Sequence, residues 1–218
     1  MMRSLIAGAA VLLISATGAS AQMLSAGAGI LYKGGFNGGT IRDGRKTDVN
    51  FNSMVDISAV GLLRFSKSSD MGVMLELGNG NYTFKMRPEN EDVANDANTG
   101  VYTVTNFTVT PSLYLGGFTL GAAFGFGGEQ TVENVDGSSV DALRSFSDFG
   151  QAAVTVASPT IELRIGGLIP LWKHDDGVLN LALSAGYMLP GLYDDGGDNN
   201  AKPVSAGIGI NYLFTAIR

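Results

Sequence analysis

Residues 203–217 read Pro-Val-Ser-Ala-Gly-Ile-Gly-Ile-Asn-Tyr-Leu-Phe-Thr-Ala-Ile. Val204, Ala206, Ile208, Ile210, Tyr212 and Phe214 alternate with Ser205, Gly207, Gly209 and Asn211. A strand turns successive side chains to opposite faces, so one face of this segment is apolar and the other small or polar. The same beat runs through Val178–Leu189, where Leu179, Leu181, Leu183, Ala185 and Tyr187 oppose Asn180, Ala182, Ser184 and Gly186. It recurs in 50–66 and in 100–115. No stretch holds an i, i+3, i+4, i+7 apolar pattern for three turns, so no helix is expected in the mature chain.

Working outward from these segments gives eight strands, at about 23–34, 50–66, 70–86, 100–115, 118–127, 159–171, 178–190 and 203–217. The connections between them alternate: 35–49 long, 67–69 short, 87–99 long, Gly116-Gly117 a two-residue hairpin, 128–158 long, Trp172–Gly177 short, 191–202 long. Short turns at one end and long loops at the other mark an up-and-down antiparallel transmembrane β-barrel. An even strand number puts both termini at the short-turn side. Phe149–Ala157 is also strand-like and is assigned to the third long loop or to an extension of the sixth strand, with Ser158-Pro159 at the join. Ten strands are the alternative, should 35–49 hide another.

A soluble sandwich or barrel would alternate too, but its outer face would carry about 25–35% charge. Here the polar face is sparsely charged and rich in glycine: Gly27, Gly29, Gly72, Gly78, Gly121, Gly125, Gly166, Gly186, Gly207 and Gly209. Charge gathers in the loops instead, in Arg42–Asp48, Glu89–Asp96 and Asp194–Asp198. Aromatic residues mark the strand ends. Phe65, Tyr114, Phe118, Trp172, Tyr212 and Phe214 form an expected inner girdle; Tyr32, Phe51, Phe84, Tyr102, Phe126 and Tyr187 form an outer one. Residues 1–21 read as a secretory signal, with Arg3, the apolar run Leu5–Ile14 and the Ala19-Ser20-Ala21 cleavage site; 22–218 form the barrel domain. The 218 residues include no Cys and one His, which excludes disulfide scaffolds, thiolate zinc sites and multi-His cages. A net charge of −6 argues against a nucleic-acid partner.

In hydrocarbon an unpaired strand edge costs several kcal/mol per unsatisfied group, so 23–34 must pair with 203–217 to close the sheet. The run Gly207-Ile-Gly-Ile-Asn-Tyr-Leu-Phe214, with Gly209 followed by Tyr212 and Phe214 at alternate positions, resembles the C-terminal assembly signal of the small outer-membrane β-barrels of Gram-negative bacteria. Members of that family commonly finish on the aromatic, whereas this chain continues through Thr215-Ala-Ile-Arg218. The resemblance implies residence in the cell outer membrane and contact with membrane lipids and lipopolysaccharide. It also implies recognition of the last strand by the outer-membrane assembly machinery. No periplasmic domain is expected.

With the apolar face toward lipid, Lys33, Asp56, Arg64, Glu76, Asn106, Glu162, Arg164, Asn180 and Asn211 point into the lumen. Eight strands enclose just enough room for side chains to fill. Lys33, Arg64 and Arg164 can pair with Asp56, Glu76 and Glu162 as a polar plug. The expected function is therefore a structural or surface-interaction role through the extracellular loops. A narrow channel for water, ions or small solutes is the alternative, favoured by glycine on the first, fifth and eighth strands. A soluble periplasmic lipocalin-like binder of apolar ligands is another. No catalytic residue, cofactor or metal site is expected: His174 lies in the turn Lys173-His-Asp-Asp-Gly177, and Asp194–Asn200 lacks the spacing of a calcium-binding hand.

Overall fold

The computed structural model describes residues 23–38, 45–51, 55–66, 69–88, 99–133, 156–189, 191–192 and 201–217. The secretory segment and most of the long loops lie outside these residues, as do the acidic run 194–200 and residues 149–155 of the ninth strand-like segment. Every named element is a strand: β1 (Met23–Asn37), β2 (Arg45–Asp48), β3 (Val55–Arg64), β4 (Met71–Pro88), β5 (Gly100–Leu115), β6 (Phe118–Glu133), β7 (Thr160–His174), β8 (Gly177–Leu189) and β9 (Pro203–Ile217). All pairings are antiparallel, in the order β4-β3-β1-β9-β8-β7-β6-β5, and β5 pairs back onto β4. The sheet is a closed eight-stranded barrel.

Closure falls where the chemistry requires it. β1 pairs with β9 along nearly its whole length, from Leu24↔Ile217 to Asn37↔Pro203. The short connections are as tight as strand twist allows. Gly116 and Gly117 have φ of 61° and 99°. Two positive φ values in a two-residue loop fit a type I′ hairpin, which only glycine and a few polar residues adopt readily. Between β7 and β8 the turn shrinks from the expected six residues to Asp175-Asp176, because Lys173↔Val178 and His174↔Gly177 continue the ladder. β6 likewise runs on to Glu133, past the expected end at 127.

The region 35–49 does hide a strand, but not a ninth stave. β2 pairs only with the far end of β4, Arg45↔Pro88 to Asp48↔Lys85, above the point where β3 begins. β2 and β3 thus share one position in the wall, and the expected strand 50–66 starts at Val55. Asn50 bridges to Gly35 on β1 and donates its side-chain amide to the Thr83 hydroxyl at 2.6 Å. Below the break the β3–β4 ladder starts at Ser58↔Gly78, and side chains stand in for the missing rungs. Asn79 accepts from the Ile57 N–H at 2.6 Å and donates to the Val55 carbonyl at 3.1 Å. Asp56 accepts from the backbone N–H and the side-chain amide of Asn81, both at 2.9 Å. A polar Asn79 at a lipid-facing position is explained by the two backbone groups it satisfies.

The apolar face points outward. Ile30, Ile57, Leu113, Leu120, Leu163, Ile165, Leu183, Ile208 and Ile210 are exposed, and Phe65, Phe118, Trp172, Tyr212 and Phe214 ring the short-turn end on the outside. Tyr32, Phe51 and Tyr187 are exposed toward the long-loop end. An apolar interior of the lipocalin kind is therefore not what this chain builds. Three girdle residues are reassigned. Phe84 and Tyr102 are buried in the lumen, stacked at 5.5 Å between centroids with 6° between planes. Tyr114 packs against the lumenal cluster at the short-turn end. Each sits at an even position, on the inward parity of its strand, and parity prevails over proximity to a strand end.

Candidate functional site

The inward face is built in layers. Toward the long loops, Tyr82, Phe84, Tyr102, Val104, Met188, Leu192 and Ala201 form one apolar cluster, with Val156 packed against it. Leu192 is fully buried and is held by two backbone hydrogen bonds: its N–H donates to Ala201 O at 2.7 Å, and its carbonyl accepts from the Ala157 N–H at 2.8 Å. Toward the short turns, Val60, Leu62, Met74 and Leu213 form a second cluster with Tyr114 and Leu168. Between the two lie the charges.

Glu162, on β7, has no exposed surface, and its carboxylate is saturated with donors. The Tyr82 hydroxyl donates to Oε2 at 3.2 Å and the Ser205 hydroxyl to Oε1 at 2.6 Å. Arg164, two residues along the same strand, donates through Nε at 3.1 Å and through Nη2. Positions i and i+2 share a face of a strand, which is why neighbours on β7 can form this fork. Arg164 also reaches across the lumen, Nη1 lying 3.7 Å from Glu76 on β4. Lys33, on β1, pairs with Asp56 on β3 at 2.7 Å and lies 4.5 Å above the centre of the Tyr82 ring. Tyr82 thus joins the two ion pairs, its ring face against Lys33 and its hydroxyl on Glu162.

Five of the six expected network residues therefore meet, as Lys33–Asp56 and Glu76–Arg164–Glu162. The sixth does not. Arg64 points inward at the short-turn end, where Nη2 lies 2.7 Å from Met23 Sδ. Leu62 and Met74 separate it from the acids, because Arg64 pairs with Gly72 whereas Glu76 stands four residues farther along β4. Asn106 is buried and donates to the Thr160 hydroxyl at 2.9 Å. Asn180 and Asn211 are also buried on the lumenal parity. His174 is exposed at the end of β7, beside the turn, with its Nδ1 3.8 Å from Asp176.

The glycine wall has another purpose than leaving a passage. A Cβ on Gly186 would lie 2.1 Å from Glu162 Oε1, one on Gly207 would lie 2.8 Å from Lys33 Cγ, and one on Gly125 would meet Asn106 and Thr160. The space these glycines release is taken by the long polar side chains opposite. Others, such as Gly78 and Gly209, let neighbouring backbones approach: a Cβ there would sit 2.1 Å from Ile57 O and 2.0 Å from Ile30 O. Tyr82, which joins the two ion pairs, is not among the residues expected in the lumenal network. Its even position on β4 carried the signal, in line with Glu76, but an aromatic in an apolar alternation reads as lipid-facing.

No family model matches the sequence, and no curated protein matches it. Among solved structures, the chain is similar to the outer membrane protein OprG from Pseudomonas aeruginosa, with 14% identity and a TM-score of 0.36 over 90% of this chain and 97% of that one. It is also similar to Ail, the attachment invasion locus protein of Yersinia pestis, with 15% identity and a TM-score of 0.37 over 88% of this chain and 97% of that one.

Proposed function

We propose that this chain is an outer-membrane β-barrel with a closed lumen, acting as a structural element of the envelope or through surface contacts made by its long loops, and without catalysis. The observation that carries the reading is the layering of the interior. An ion entering from either end meets an apolar plug before it reaches the Lys33–Asp56 and Glu76–Arg164–Glu162 pairs. The exposed apolar band and the closed register suit a bilayer, since every strand edge in hydrocarbon has to be paired. The secretory segment and the C-terminal aromatic pattern suit delivery to an outer membrane and contact there with lipids, lipopolysaccharide and the assembly machinery.

The test is purified protein refolded into planar bilayers, alongside membrane fractionation and an electrophoretic comparison of unheated and boiled samples. The expected result is outer-membrane recovery, a heat-modifiable band and no unitary conductance steps. Regular steps whose size follows salt concentration would overturn the plugged reading in favour of the narrow channel. Recovery in the soluble fraction would overturn the membrane placement.

A further inference from the structure

Between the charged layer and the apolar cluster at the short-turn end lies a cavity of about 50 Å³. Its polar lining is Glu76, Arg164, Ser58, Ser112, Thr119, Ser184 and Asn211. A chamber of that size holds about three or four waters. It is too small for an organic solute.

The charges around it do not balance. Among the described residues the middle layer carries three carboxylates (Asp56, Glu76, Glu162) and two cations (Lys33, Arg164). Lys33 is committed to Asp56 at 2.7 Å, and the Arg164 fork is committed to Glu162. Glu76 is left with the guanidinium at 3.7 Å, beyond hydrogen-bond distance, and is the most accessible acid of the three, with 24% of its side chain facing open space. Arg64 cannot compensate from behind Leu62 and Met74. One buried oxygen in the cavity wall adds to the account. The side-chain oxygen of Asn211 is buried there without a hydrogen-bond partner. Buried polar atoms in folded proteins nearly always find partners, and orphaned ones mark a bound water or ion.

We propose that this chamber binds one small monovalent cation, of sodium or potassium size, against the Glu76 carboxylate, with neutral oxygens from the surrounding Ser, Thr and Asn side chains completing its shell. Carboxylate and hydroxyl oxygens suit hard cations. A divalent ion would want more carboxylate than one, and no group of three metal-ligating acids, histidines or cysteines occurs among the described residues. The cation restores neutrality to the middle layer and so stabilises the folded barrel. The inference rests on the plugged-lumen reading, whose own failure would appear separately as conductance steps.

The test is urea-induced unfolding of the full chain in zwitterionic vesicles at matched ionic strength, in sodium, potassium, caesium and N-methylglucamine chlorides. A cation at ten times its dissociation constant multiplies the folded-to-unfolded ratio about elevenfold. The expected result is such a gain in sodium or potassium, absent in N-methylglucamine and absent in Glu76→Gln in every salt. Should Glu76→Gln fail to fold, Asn211→Leu takes its place, with a reduced preference for the small cation expected. Equal stability in all four salts would overturn the proposal, whether the shared level reflects screening alone or a protonated Glu76. A size-selective gain that survives both substitutions would overturn the assignment to this chamber.

Discussion

The ion-pair layer makes an ordered prediction about three variants. In Glu162→Gln, the Arg164 guanidinium keeps a neutral amide beside it and Glu76 at 3.7 Å, so one buried pair is broken. The layer then holds equal numbers of acids and cations, Asp56 and Glu76 against Lys33 and Arg164, so the cost is that of hydrogen bonds lost to a charged group, about 1.5–3 kcal/mol, and no charge is stranded. Arg164→Met is worse, because it strands two carboxylates at once: Glu162, wholly buried, and Glu76 across the lumen. Replacing all three in Glu76→Gln/Glu162→Gln/Arg164→Met removes every stranded charge of the trio, and substitution of whole buried ion networks is often neutral or stabilising by about 1–4 kcal/mol. The expected order of stability is therefore triple variant above Glu162→Gln above Arg164→Met. Equilibrium urea titration of folding into lipid vesicles, followed by tryptophan fluorescence from the single Trp172, measures it. An Arg164→Met variant no less stable than Glu162→Gln, or a triple variant below both, would refute the account of the lumen as a desolvated ion network.

Further tests follow from single contacts. Gly186→Ala would place a Cβ 2.1 Å from Glu162 Oε1, so the carboxylate must move off its donors; a loss of about 1–3 kcal/mol is expected in the same titration, and Gly61→Ala, where a Cβ meets nothing within 4 Å, should be nearly silent. Tyr82→Phe keeps the ring under Lys33 but removes the hydroxyl donated to Glu162 at 3.2 Å, for an expected loss of about 1.5–3 kcal/mol. Asn79→Leu suits the lipid better yet uncovers the Ile57 N–H, while the Val55 carbonyl keeps the Asn81 amide at 3.2 Å; amide exchange at Ile57 should accelerate by orders of magnitude while that at Leu62, within the regular ladder, is unchanged.

The barrel is legible in the amino-acid order, because its signal is local and repeated. A period of two, with apolar side chains on one beat and glycine or polar ones on the other, is dictated by the geometry of each strand. It needs no knowledge of what lies across the sheet. Gly100–Leu115 and 203–217 are delimited to the residue, and the Gly116-Gly117 hairpin follows from the conformational freedom that two adjacent glycines alone confer. Parity also assigned Lys33, Asp56, Glu76, Glu162 and Arg164 to the interior, since a one-residue slip would have put all of them in lipid.

Which of these charges meet is set by the closed barrel. Partnership depends on height along the barrel axis, and height depends on register and stagger between strands that are distant in sequence. Arg64 and Arg164 share one parity, yet stagger carries Arg64 below the Leu62–Met74 layer and leaves Arg164 level with Glu76. Phe84 and Tyr102 face the lumen for a different reason, parity on their own strands. A strand end indicates a rim, but whether an aromatic there faces lipid or lumen is set by its parity and by the space the opposite wall leaves open. The separation of β2 from β3 lies equally beyond local patterning: alternation continues through 50–66, and it is contacts with β1 and β4, through Gly35, Asn79 and Thr83, that fix Asn50 and the start of β3. Strand identity is local chemistry; the lumen's chemistry is a property of closure.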